Sequence, residues 1–503
     1  MNGNKLVYLD NNATTEINPK VLDTMQYWCK NAKNPSSDSK CAQASRDVIE
    51  QAKNALLNHC GCSNKTYTVI YTSGATESNC LLIRSIVHSY TRIRKVKPTL
   101  LVSAIEHESI MSCCNSLMQD ELANIIYLEP NYQGAIPISV VEEGLQAPNI
   151  ALICCMFANN EIGTINNLKE IGALAHKHHI PVMSDATQLF GKYKINIPGN
   201  NIDALSATFH KLGGPLGCGL LILRNELIDG YNLVGLINGT QQGGLRAGTE
   251  NVPAIAASAV AIVEAFKHRE EKNAKMLLLR TKIIEGLGKI YPIGEYAEYL
   301  RREMRAEVDE YKSEADPSSD DIIEVDVKNK ALYVSPTNPI ELIILGPPID
   351  KPSRYLPNTI LLAVAKNVQD RYGNFCNVKL KKDLDYYGVV CSIGSACNTN
   401  NNKRSHVLNA IRMPENLGRG VIRLSLGDNS TDEDVRIFLS AFKKALSKQI
   451  VDAKLTETTK KTNIHKSDKS SKHDKSGKSS KQDKSSKHDK SVKSMNKPRK
   501  KDN

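Results

Sequence analysis

Short apolar runs separated by amphipathic stretches organise most of the chain. T-V-I-Y-T (68–72), 99–104, N-I-A-L-I-C-C-M-F (149–157), 180–184, 202–209 and 218–223 read as strands. Helical periodicity fills 80–88, 107–119 and 168–178 between them. The 149–157 run is apolar at successive positions, as a strand covered on both faces is. Strands alternating with helices predict an α/β fold with a mostly parallel sheet. Ahead of this block, L-V-Y-L-D and N-N-A-T-T read as extended chain and turn, and Pro19 to about Cys60 as two helices divided by K-N-P-S-S. Behind it, one long amphipathic helix is expected from Val252 to about Leu287.

The pattern then changes. Residues 295–330 are densely charged and read as a surface insertion, a solvated helix plus loop. L-P-N-T-I-L-L-A-V-A, Y-G-V-V-C-S-I and V-I-R-L-S-L-G read as strands of a second, α+β unit closed by a helix from about Asp432 to Lys448. The expected organisation is an arm of the small domain at 1–18, a large domain at 19–255, a smaller domain at 256–450 and a disordered basic tail at 451–503.

Composition matters mainly through that tail. The net charge is +12, yet residues 454–503 hold 17 basic and 6 acidic side chains, a net of +11, leaving +1 for the rest. Lysine recurs every third residue from Lys466 to Lys493 with almost nothing apolar to bury, so disorder is expected. Weak, salt-sensitive contact with nucleic acid is one use for such a segment and a solubilising appendage is the other. Thirteen cysteines without a CxxC pair fit neither a disulfide framework nor a zinc site and point to a reducing, cytoplasmic setting. No apolar run approaches a membrane span.

Candidate chemistry gathers at the ends of the apolar runs. Asp185 closes one; His210 and Lys211 follow the next and lead into a glycine turn. At the carboxyl edge of a parallel sheet, a carboxylate, an imidazole and an amine suit pyridoxal 5'-phosphate (PLP), with Lys211 holding the aldehyde as a Schiff base and Asp185 pairing with the ring nitrogen. T-S-G-A-T-E-S-N (72–79) follows a strand and opens a helix, which suits an anion, although the same string would cap any helix. His107 starts a helix after a strand, Asn159 and Asn160 end the 149–157 strand, and Gln188 lies one helical turn beyond Asp185. Cys397 sits in a Gly/Ser/Ala setting beside an Asn- and Lys-rich segment, which suits a reactive thiol on a mobile loop, whereas Cys391 lies in an apolar run. Arg423, a cation within an apolar strand, calls for a carboxylate partner, whether from the protein or a substrate.

Seven motifs, T-S-G-A-T-E-S-N, A-N-N-E-I-G, S-D-A-T-Q, F-H-K-L-G-G-P, L-R-A-G-T-E-N, G-S-A-C and I-R-L-S-L-G, stand in the order found in the NifS/IscS cysteine desulfurases. The chain resembles that family, class V members of the aspartate-aminotransferase fold type, over roughly residues 5–450. The resemblance implies that Lys211 binds PLP, that Asp185 meets its ring nitrogen, and that Gln188 and Asn160 contact its phenolic oxygen. It implies that His107 stacks on the ring and shuttles protons. Ala75, Thr76, Thr208 and His210 would bind the phosphate, and Thr249 the phosphate of the other subunit in a homodimer. Arg423 and Asn160 would hold the carboxylate of L-cysteine, and Cys397 would become a persulfide that passes sulfur to an acceptor protein. The family's basic run before R-A-G-T reads here T-Q-Q-G-G-L-R, Lys40 lies near a usual His, and Asn replaces Tyr in D-N-N-A-T-T. Another class V PLP enzyme, such as a selenocysteine lyase or aminotransferase, and a catalytically weakened nucleic-acid-binding scaffold fit many of the same residues.

Overall fold

A two-residue strand, β1 (Val7–Tyr8), precedes two helices, α1 (Pro19–Asn31) and α2 (Gln43–His59). Asn18 sets the start of α1: its Oδ1 accepts from the Lys20 N–H at 2.9 Å, and Pro19 occupies the first turn, where a missing N–H costs nothing. The computed structural model describes residues 5–302, 340–365, 377–393 and 405–449.

The alternating block follows: β2 (Tyr67–Thr72), α3 (Ala75–Arg94), β3 (Thr99–Ser103), α4 (Glu108–Gln119), β4 (Asn124–Leu128), α5 (Ile138–Gly144), β5 (Ile150–Cys154), α6 (Leu168–Lys177), β6 (Val182–Asp185), β7 (Ala204–Thr208) and β8 (Gly219–Arg224). These strands make one seven-stranded sheet in the order β2-β8-β7-β6-β5-β3-β4. β7, β6, β5, β3 and β4 run parallel, and β8 runs antiparallel to both of its neighbours. Successive side chains enter opposite cores. Leu101, Ile153, Leu205 and Ile222 join one cluster, while Leu100, Leu152, Met183 and Leu221 join the other. Burial on both faces is why these strands are continuous apolar runs.

A short helix, α7 (Asn225–Tyr231), leads on to α8 (Val252–Phe266) and α9 (Arg269–Gly288). The single helix expected from Val252 to about Leu287 is thus two. Lys267 leaves the helix, and His268 turns the chain in the left-handed region at φ 55°. The break lets the halves serve different cores. Val252, Ile255 and Ile262 of α8 pack under the large sheet, whereas Met276, Leu279, Ile283 and Leu287 of α9 pack on a smaller one.

That smaller sheet contains β9 (Ile293–Glu295), β10 (Leu342–Leu345), β11 (Thr359–Val364) and, after β12 (Val389–Val390), β13 (Val421–Ser425), in the order β13-β11-β10-β9. β12 pairs with β1, and isolated bridges Ser392↔Arg423 and Asp10↔Ser425 join that pair to β13. A helix at 432–449 covers it with Phe438 and Phe442.

The stretch expected to be a surface insertion from 295 begins with a packed turn. Tyr296 and Tyr299 are buried one helical turn apart, and Arg302 pairs with Glu341. Aromatic residues three apart gave that turn an apolar face despite its charge. Residues 303–339 and the 451–503 tail lie outside the described residues.

Candidate active site

The carboxyl edge of the large sheet collects the chemistry. Gly74 and Ala75 follow β2, Glu106 and His107 follow β3, Asn159 and Asn160 lie beyond β5, Asp185 ends β6, and Thr208 ends β7 just before Lys211. Parallel strands on either side of a reversal in sheet order open a crevice at this edge.

Asp185 is buried and held from two sides. Its Oδ2 accepts from Asn79 Nδ2 at 3.0 Å and its Oδ1 from the Thr187 N–H at 2.9 Å. Asn79 also donates to Ser109 Oγ at 3.0 Å and accepts from the Ser206 hydroxyl. Ser109 in turn orients His107: its N–H donates to Nδ1 at 3.1 Å, so a neutral ring carries its proton on Nε2. The His107 ring itself is exposed.

Lys211 donates from Nζ to the carbonyl oxygens of Asn12 and Ala13. Its ammonium is pushed down to about 8, first by burial and then by the Arg423 and Lys192 cations, against the pull of Asp10 and Asp185. Such an amine is available as a neutral nucleophile near neutral pH. His210 is pushed down to about 4 by burial and by Lys211, and its Nδ1 lies 3.1 Å from Thr14 Oγ1.

Asn12 is the hub that sequence reasoning missed. Its carbonyl takes Lys211 and Gln188 Nε2 (3.1 Å), and its Nδ2 donates to the Asn160 carbonyl (3.1 Å) and Thr359 Oγ1 (2.9 Å). Gln188 Oε1 is buried with no hydrogen-bond partner among the described residues. Arg423 meets a carboxylate, as expected of a buried cation, and that carboxylate is Asp10 at 2.7 Å. Its Nη1 donates to the Asn160 carbonyl at 3.0 Å, while its buried Nε keeps no partner among the described residues.

At the other end of the crevice, Ala75 and Thr76 open the 20-residue α3 with the Thr76 side chain exposed. Gly219 lets β8 start flush against this loop, since a Cβ there would lie 2.4 Å from the Gly74 backbone. Thr208 Oγ1 donates to the Cys218 carbonyl at 3.1 Å. Thr249 is exposed and hydrogen-bonds none of these groups among the described residues. In the T-Q-Q-G-G-L-R run, the Gln242 amide pairs with both Tyr71 N (2.7 Å) and Tyr71 O (2.9 Å), closing the exposed edge of β2.

Cys397 lies outside the described residues, but the chain on either side of it is anchored. Before it, Ser392 and Arg423 exchange backbone bonds of 3.1 and 2.7 Å. After it, Ser405 Oγ donates to Glu161 Oε2 at 2.8 Å, and His406 Nε2 donates to the Glu106 carbonyl at 2.7 Å. The segment carrying Cys397 therefore leaves and re-enters the described chain beside the Arg423 and Glu106 ends of the crevice.

Glu106 is a second acid at the site. It is 0% exposed, its Oε1 accepts the Met156 N–H, and burial followed by the nearby Asp185 carboxylate pushes it up to about 8. A raised folded pKa means that its contribution is complete below the ordinary 4.5 and is lost as pH climbs to about 8. Across that window, wild type should lose about 1 kcal/mol per pH unit relative to Glu106→Gln. Denaturant melts of both proteins at several pH values check this; parallel profiles would show that Glu106 ionises normally.

Comparison with known proteins agrees with the architecture. Residues 7–308 match the family model for aminotransferase class-V. The chain is 31% identical over 434 residues to cysteine desulfurase IscS of Methanosarcina thermophila, covering 86% of this chain and 90% of that protein. It is 27% identical to an IscS-like cysteine desulfurase of Mycobacterium tuberculosis, covering 88% and 97%. Among solved structures, a NifS-like protein superposes with TM-score 0.69 at 25% identity, covering 88% of this chain and all of that one. SspA in complex with cysteine superposes at 0.59 with 26% identity, covering 84% and 99%. A reversed β8 in an otherwise parallel sheet, a lysine beyond β7 and near end-to-end similarity thus converge: the chain belongs to the class-V aminotransferase family, in its NifS/IscS cysteine desulfurase group.

Proposed function

We propose that this chain is a PLP-dependent cysteine desulfurase that converts L-cysteine to L-alanine and carries the sulfur as a persulfide on Cys397. The observation that carries the reading is the 31% identity to an IscS desulfurase across 90% of that protein's length. The residues present fit PLP. Gln188 Oε1 is an orphaned polar atom at the site, and the Lys211 amine, bonded to the Asn12 carbonyl, is depressed toward neutrality by burial. When bound, PLP supplies an electron sink that makes the carbon–sulfur bond breakable.

The chain's own groups divide the remaining work. Lys211 would hold the cofactor through its aldehyde, and Asp185, braced by Asn79, would pair with the ring nitrogen. Gln188 and Asn160 would contact the phenolic oxygen. Ala75, Thr76, Thr208 and His210 would bind the phosphate, with the α3 N-terminus adding free N–H groups. Thr249 would complete a phosphate site across a homodimer. His107 would lie against the ring and move protons through Nε2, its tautomer held by Ser109. Arg423, with Asn160, receives the substrate carboxylate, with its Nε as an uncommitted donor. The Cys397 thiolate attacks the substrate sulfur; the carbon–sulfur pair stays on carbon, which takes a proton to become alanine.

Purified protein given L-cysteine and dithiothreitol should release sulfide and alanine in equal amounts, without passing an amino group to a 2-oxo acid. Amino transfer without sulfide would make it an aminotransferase. The scattered thiols support a reducing, intracellular setting for this work. No helix among the described residues is long and apolar enough to cross a membrane.

The tail is a separate proposal: residues 454–503 give weak, salt-dependent contact with nucleic acid, resting on their +11 net charge. Truncation after Ala453 should leave turnover unchanged and abolish low-salt retention on an RNA or DNA column. Equal retention of both forms would remove the tail from that role.

A further inference from the structure

We propose that Asn12 is a positioning residue for carboxylate recognition: its side chain ties the Arg423 end of the smaller sheet to Asn160 of the large one, while its main chain holds Lys211. With Lys211 assigned to the cofactor and Arg423 to the substrate carboxylate, as in the reading above, Asn12 supplies what neither has alone, a fixed place relative to the other.

The N-terminal arm crosses between the two sheets at this residue. Up to Asn12 the arm is bonded to β13. The Ser425 N–H donates to the Leu9 carbonyl at 2.7 Å, the Asn11 N–H to the Ser425 carbonyl at 3.2 Å, and the Asn12 N–H to Ser425 Oγ at 2.9 Å. Beyond Asn12 the arm turns to the loop that carries Lys211. The Thr15 N–H donates to the His210 carbonyl at 2.9 Å, the Gly213 N–H to Thr15 Oγ1 at 2.8 Å, and the Asn18 N–H to the Gly213 carbonyl at 2.9 Å. Asn12 stands at the crossing and is 2% exposed.

Its side chain is fully committed there. Nδ2 donates to the Asn160 carbonyl at 3.1 Å and to Thr359 Oγ1 at 2.9 Å, and Oδ1 accepts from Asn358 Nδ2 at 3.0 Å. A side-chain amide has two N–H groups, so no donor is left over. The neighbours fix which end is which: Thr359 Oγ1 gives its own proton to Asn358 Oδ1 at 3.3 Å and is left as an acceptor. On the large-sheet side, the Asn160 carbonyl takes both Asn12 Nδ2 and Arg423 Nη1, the latter at 3.0 Å. Two residues back along the arm, Asp10 takes Arg423 Nη2 at 2.7 Å. The guanidinium is thus bracketed by one stretch of arm, and the same stretch presents the Asn12 carbonyl to Lys211 and Gln188.

A guanidinium reads a carboxylate by direction as well as charge, and a displacement of about 1 Å can cost about 10²-fold. Asn12→Ala removes the tie without orphaning its partners. Asn358 Nδ2 keeps the Leu426 carbonyl at 3.1 Å, Thr359 Oγ1 keeps Asn358, and the Asn160 carbonyl keeps Arg423. The main-chain carbonyl that takes Lys211 is unchanged. The loss therefore falls on ligands that carry a carboxylate, which a general loosening of the fold would not single out.

The test is titration of full-length PLP-loaded protein with L-alanine and with ethylamine, the same amine without the carboxylate, read by the visible band of the bound cofactor. Wild type should respond to L-alanine at far lower concentration than to ethylamine. Asn12→Ala should raise the half-response concentration for L-alanine about tenfold and leave that for ethylamine within about twofold. Thr359→Val, which keeps Asn12 but removes its acceptor on the smaller sheet, should shift L-alanine in the same sense, and it decides the matter if Asn12→Ala does not fold. With a normal wild-type response, unchanged L-alanine values in the variants, or equal shifts for both amines, would overturn the role of Asn12 alone. A wild type that responds to neither amine would overturn the cofactor reading, and the role of Asn12 with it.

Discussion

Lys211→Ala should lose the visible absorbance of the bound cofactor on dialysis and about 10⁴-fold or more of kcat/KM, since the residue that fixes the cofactor acts as one unit with it. The expectation rests on the position of Lys211, one residue past His210 at the carboxyl edge, with its Nζ on the Asn12 and Ala13 carbonyls and its ammonium lowered to about 8. Because the attacking form is the neutral amine, cofactor uptake by stripped wild-type protein should quicken as pH rises through about 8. The structure supplies a competitor against which to judge the assignment. Lys192 is also pushed down to about 8 by burial, and its Nζ donates to the Gln188 carbonyl at 2.9 Å. Borohydride reduction of the coloured protein should label Lys211. A label on Lys192, with colour retained in Lys211→Ala, would move the cofactor's anchor.

Cys397→Ser should keep the cofactor spectrum and lose about 10³-fold or more of cysteine-dependent sulfide release, because a hydroxyl cannot take up sulfane sulfur. Cys391, the nearest alternative in sequence, is poorly placed. It is buried in the smaller core, and its thiol is pushed up to about 12 by burial first and then by the Asp10 carboxylate. Cys391→Ser should therefore retain turnover. Unchanged sulfide release in Cys397→Ser would leave a PLP enzyme of another kind.

Much of this was legible because each strand buried on both faces is a continuous apolar run, and the catalytic candidates follow such runs directly. Asp185 after 182–184 and Lys211 after 204–209 needed no tertiary information. The direction of β8 did, since G-L-L-I-L-R has the same pattern run either way. β4 escaped notice because it is an edge strand whose side chains are mostly exposed or half-buried. The break at His268 carries neither Gly nor Pro; it arises because α8 and α9 face different cores. Within the site, Asn12 was invisible as a hub because its partners come from across the chain. Ser425, whose hydroxyl takes the Asn12 N–H at 2.9 Å, is 413 residues away. Nothing in the sequence marks Glu106, one residue before His107, and only its complete burial beside Asp185 distinguishes it.

The central claim is that sulfur leaves L-cysteine onto the protein itself, and a single turnover without reductant tests it most directly. PLP-loaded protein mixed with one equivalent of L-cysteine, quenched with an alkylating agent and digested, should yield alanine matched mole for mole by a persulfide on the peptide containing Cys397. Alanine without protein-bound sulfur, or sulfur carried mainly on another cysteine, would contradict the account.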